Sequence, residues 1–120
     1  MASSRSHLTT SRVRDMERER QQRAEWAAVL EDAIQDIGYL TRRSWEEPGR
    51  IVIYEPLSPD AKILEWHGTP VLVDSKLVGE FSVLSHHHIY IMSGGSDRRA
   101  VREIINRAGF PDLEDFSEIF

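Results

Sequence analysis

Cysteine is absent from the 120 residues, which excludes disulfides, thiolate zinc sites and thiol catalysis. No apolar run approaches the length of a membrane span, and the opening MASSRSHLTTSR has no hydrophobic centre. Neither secretion nor insertion is therefore indicated, and a cytoplasmic protein without a membrane partner is expected. The net charge of −5 argues against general nucleic-acid binding, which draws on Lys and Arg to neutralise phosphates. Catalytic signatures are missing too: there is no GxSxG elbow, no GxGxxG and no P-loop, and no Ser, His and Asp set stands out from chance. There is no internal repeat, and Met16 is the single large apolar residue between 14 and 25, so no sustained heptad supports a coiled coil.

What is present is enough for one ordinary domain. At 40% hydrophobic content the chain can bury a core without metals or crosslinks. Residues 1–11 are mostly small and polar, which predicts a flexible arm ahead of a single domain at 12–120. A helical pattern starts near Ser11. Its first half is nearly all charged, and its second half places Trp26, Val29, Leu30, Ala33, Ile34, Ile37 and Leu40 on one stripe, with Glu31, Asp32, Gln35 and Asp36 pointing away. Projecting that stripe backward puts Glu19, Gln22 and Arg23 on it, so residues 12–25 should extend past the domain edge.

The run RIVIYE at 50–55 reads as a central strand, apolar on both faces. Residues 61–66 fit either a short strand or one helical turn, and His67-Gly68-Thr69-Pro70 is a turn. Val71–Val73 and Leu77–Leu84, flanking Asp74-Ser75-Lys76, predict a hairpin in which Gly79 marks a bulge or a close backbone approach. The clearest architecture is the stretch 86–109. Ile89 and Ile91 share one strand face, Ser96 or Asp97 caps a helix, and Val101, Ile104, Ile105 and Ala108 form its buried stripe, with Gly109 and Pro111 ending it. The tail DLEDFSEIF predicts a last helical turn or two. The fold class is α+β: a long N-terminal helix, a four- to five-stranded antiparallel sheet, a second amphipathic helix at about 97–108 and a short acidic C-terminal segment. Pairing is antiparallel because the central connections are too short for crossovers.

Three surfaces could carry function. Residues 1–23 hold six arginines against three acids, and residues 111–120 hold four acids and no base. Arg14, Arg18, Arg20 and Arg23 at one end, and Leu113, Phe116 and Phe120 at the other, are the expected contacts with another protein, and ends of opposite sign also fit a homodimer. A binding protein of the inhibitor or assembly-factor kind carried by phages and mobile elements, with no enzymatic activity and no cofactor, is the leading expectation. The alternative is a module for a phosphorylated ligand or nucleotide, held by Ser93, Gly94, Gly95 and Ser96 ahead of a helix, with Arg98, Arg99 and Arg102 as counter-charges. A third reading makes His86 and His88 a metal-binding pair, which His67, Glu80 or Asp74 would complete in a metal enzyme.

Overall fold

In the computed structural model the described residues are 2–43, 47–85, 88–92, 97–109 and 115–118; the side chains of 2–11 and 115–118 fall outside the description. Helix α1 (Ala2–Asp36) comes first, then β1 (Leu40–Arg43), β2 (Arg50–Pro56), β3 (Lys62–Trp66), β4 (Thr69–Val73), β5 (Ser75–Ser85), β6 (His88–Ile91), helix α2 (Arg98–Arg107) and β7 (Asp115–Glu118). One sheet has the order β1-β2-β5-β6-β7, and β3 and β4 form a separate ribbon. The first four strands of the larger sheet pair antiparallel, whereas β7 lies parallel to β6, which is allowed because the intervening residues 92–114 are long enough to cross over through α2. The class is α+β, and both helices cover one face of the larger sheet.

The core follows from alternation. Ile51 and Ile53 of β2, Phe81 and Val83 of β5, and Ile89 and Ile91 of β6 point to the helical side, where they meet Ala27, Leu30 and Ile34 of α1 and Val101, Ile104 and Ile105 of α2; all are buried. Gly79 does sit at a bulge: Ile53 pairs with Gly79 but Tyr54 pairs with Leu77, leaving Val78 as the extra residue. The Asp97 carboxylate caps α2 by accepting from the Ala100 amide at 3.1 Å, and Gly109 follows the helix at φ +96°. At the end of α1, Gly38 at φ +102° donates to the Gln35 carbonyl and the Tyr39 amide to that of Ile34, the paired closure that a left-handed glycine permits.

Five local expectations are corrected. The helix runs back to Ala2 through the stretch composed like an arm; no glycine or proline interrupts the chain before Gly38. The buried stripe of α1 is turned from the expected one: Ala27 is fully buried, while Val29 is 60% exposed, and Glu31, expected to face away, lies between the Thr41 hydroxyl at 2.8 Å and Arg43 at 3.2 Å. Leu40 leaves the helix and starts β1, because the chain has reversed at Gly38. No hairpin joins β4 to β5. Instead β4 pairs with β3 across His67 and Gly68, both at positive φ, the two-residue turn that suits strand twist, and Asp74 at φ +46° turns the chain from β4 into β5. Finally, residues 115–118 form strand β7 rather than a helical turn, since the edge of β6 offers its amides and carbonyls a ladder.

The ribbon is an insertion between β2 and β5. Its neck is closed by the Leu57 amide on the Asp74 carbonyl at 2.7 Å, and its free end is held to β1 by Arg42, which donates to Glu65 at 2.6 Å and to the Gly68 carbonyl at 3.0 Å. Tyr54 alternates to the outer face of the sheet and is only 4% exposed although it stands apart from the main core cluster.

Candidate functional site

All described side chains from Arg12 to Arg23 are exposed, so this part of α1 stands beyond the domain. A 35-residue helix is about 52 Å long at 1.5 Å per residue. The molecule measures 63 × 37 × 27 Å, and its radius of gyration of 17.0 Å exceeds the ~14 Å of a compact chain this size.

Seen from the buried stripe, the overhang has a definite underside. Stepping back from Ala27 by four, three, four and three residues gives Arg23, Arg20, Met16 and Val13, so the face that packs on the sheet continues into free space. Val13 is 47% and Met16 68% exposed. These four residues, with Glu17 and Glu19, roof an open cleft of about 620 Å³ whose floor is Glu47, Pro48, Gly49, Ser82 and Val83. The floor is tied closely together: the Val83 amide donates to the Gly49 carbonyl at 2.7 Å, and a Cβ on Gly49 would lie 2.3 Å from the Val83 carbonyl oxygen. Beside it Arg50 forks onto Glu80 through two bonds of 2.8 and 3.1 Å and reaches Glu47 at 3.3 Å. The hydrogen bonds to Glu80 hold the Arg50 guanidinium in its charged form, raising its pKa against the opposing effect of desolvation.

Of the arginines singled out from sequence, Arg20 and Arg23 line this cleft, while Arg14 and Arg18 are exposed elsewhere on the same segment. Phe116 lies in β7 opposite Ile89, its side chain outside the description, and Leu113 and Phe120 lie outside the described residues. The overhang and the tail are thus not brought together by any described contact. The sequence reading missed Val13, Met16, Pro48 and Val83 as partners in one surface. The signal for the first two was available in the spacing from Ala27; the phase taken from Trp26 and Val29 hid it.

The alternative sites stand as follows. Ser93, Gly94, Gly95 and Ser96 lie outside the described residues. At the start of α2 the Asp97 carboxylate already occupies a first-turn amide, placing negative charge where an anion would sit; Arg98 is half-buried, and Arg99 and Arg102 are exposed. His86 is outside the description, and the His88 ring lies 4.9 Å from that of Tyr90. Among the described residues, no group of three or more His, Asp or Glu side chains is placed to hold a metal. Among them also, no helix is long and apolar enough to cross a membrane.

A second cleft, about 370 Å³, lies between α2 and the start of β5, lined by Glu55, Lys76, Asp97, Glu103 and Arg107 with Tyr39. The Arg107 guanidinium donates to the Tyr39 hydroxyl at 3.3 Å and lies 6.0 Å from that ring's centroid, joining the two helical ends. Its charges nearly balance, with Glu55, Asp97 and Glu103 against Lys76 and Arg107. The geometry therefore defines an α+β domain with an overhanging helix and an apolar cleft beneath it. No family model, no curated protein and no solved structure matches the chain.

Proposed function

We propose that this is a small non-enzymatic protein-binding module that engages its partner through the α1 overhang. One observation carries the reading: the core-facing stripe of α1 runs on past the domain as Arg23, Arg20, Met16 and Val13 over an open cleft. Exposed Val13 and Met16 gain nothing from solvent, whereas a partner that covers them removes apolar surface from water at about 25 cal/mol per Å². Arg20 and Arg23 with Glu17 and Glu19 border that apolar centre with charges of both signs, the polar rim of a binding patch, and Arg14 and Arg18 carry the charged surface round the rest of the helix. An inhibitor or an assembly factor acts in this way, by occupying a surface. The acidic tail, with Leu113, Phe116 and Phe120, is the second proposed contact.

The test is removal. A chain lacking residues 1–23 should lose the far-ultraviolet dichroism of the missing helical turns but keep a cooperative melt, because Ala27 onward supplies the buried face, and it should fail to capture the partner that the full chain captures. Equal capture by the truncated and full chains defeats the reading; equal capture by a chain lacking 111–120 removes the tail from it.

A further inference from the structure

We propose that the overhang pairs with the overhang of a second copy of this chain, antiparallel, about a two-fold axis between Val13 and Met16. The inference rests on the reading of the overhang as a binding surface and names its partner. Its first support is the apolar pair. Around such an axis Val13 of one copy faces Met16 of the other, and each exposed residue covers the other's counterpart. Its second support is charge. Arg12 and Glu19 are seven residues apart, two helical turns, and so lie on the same side of the Val13–Met16 stripe. A two-fold axis brings like sides of an antiparallel pair together, and Arg12 then stands within one turn of Glu19 of a second copy, with the reciprocal pair formed by symmetry. The isologous arrangement satisfies both charges with no other protein. Its third support is access: Val13 and Met16 are exposed at the open side of the cleft, so a counterpart helix can reach the stripe.

The size of the contact sets its strength. Three helical turns cover far less than the ~800 Å² per partner of a stable interface. Self-association on the order of 0.1 mM is therefore expected.

Sedimentation velocity of the full chain from micromolar to millimolar concentration, at low salt where exposed charges are least screened, reads the equilibrium directly. The parent should dimerise. Met16→Glu should leave a folded monomer throughout the range. Arg12→Glu and Glu19→Arg should each weaken the dimer roughly tenfold, since each turns two attractive pairs into repulsive ones, and the double variant R12E/E19R should recover most of the loss. A parent that is monomeric at millimolar concentration overturns the proposal, as does a dimer indifferent to Met16→Glu or a double variant no better than the singles. If the parent is monomeric and the chain without residues 1–23 still loses a different captured protein, the second copy is excluded while the overhang remains the binding surface.

Discussion

The larger sheet and the β3–β4 ribbon are built from similar residues and reach opposite ends. In the larger sheet alternate side chains of β2, β6 and the second half of β5 go into a core roofed by two helices, and Ile51, Ile53, Phe81, Ile89 and Ile91 lose essentially all contact with water. In the ribbon, Leu64 and Val71 face each other across the strands with Trp66 beside them, and they remain 48%, 42% and 68% exposed. Strand-forming residues alone do not decide burial. A two-stranded sheet has no second layer of its own, and this one leans on β1 through Arg42 with one face and leaves the other bare.

That contrast can be broken most strongly from the side of the larger sheet. Phe81→Ala empties a fully buried site between the helices and should cost about 3–5 kcal/mol, read by urea unfolding. Gly49→Ala tests the sheet's other constraint, backbone proximity. The new methyl meets a carbonyl oxygen that is fixed in a ladder, and a loss of about 1–3 kcal/mol is expected in the same assay, with little change in the slope against denaturant. Asp97→Ala removes one cap from α2 and should cost about 1 kcal/mol. Leu64→Ser in the ribbon should change stability by no more than about 0.5 kcal/mol; a loss as large as that of Phe81→Ala would show that the ribbon's outer face is covered after all.

A pH experiment sharpens the boundary between the two regions. Burial raises the pKa of Tyr54, the nearby Glu80 charge adds to the effect and the Arg42 charge opposes it. The folded state thus holds the phenolic proton more tightly than the unfolded chain. This contribution to stability is complete below the ordinary tyrosine pKa near 10 and is lost as pH rises through the higher folded value. Tyr54→Phe should flatten the fall in unfolding free energy above about pH 10, and an ultraviolet titration of the parent should contain a late phenolate step that the variant lacks.

Local signals in the sequence were read correctly where one residue sufficed to state them. Asp97 before Val101, Gly109 after Ala108, and Gly79 inside β5 each require a particular backbone, and each is found there. The pairing of β4 was not legible, because Val71-Leu72-Val73 suits β3 and β5 equally and the decision lies in the positive φ of His67, a residue without a strong preference for it. The strand β1 was hidden because Leu40 is in phase with the helix it follows. For the candidate site, the exposure of residues 12–23 could be foreseen from their charge. The cleft could not, since Pro48, Gly49 and Val83 reach it only through the pairing of β2 with β5.

The bond from the Leu57 amide to the Asp74 carbonyl has a practical consequence. Because it cinches both legs of the inserted ribbon at their root, the segment between them can be exchanged as a cassette. Replacing 58–73 with a short glycine-containing turn should leave the parent ladder in register, and splicing a foreign peptide there would display it on a stiff pedestal.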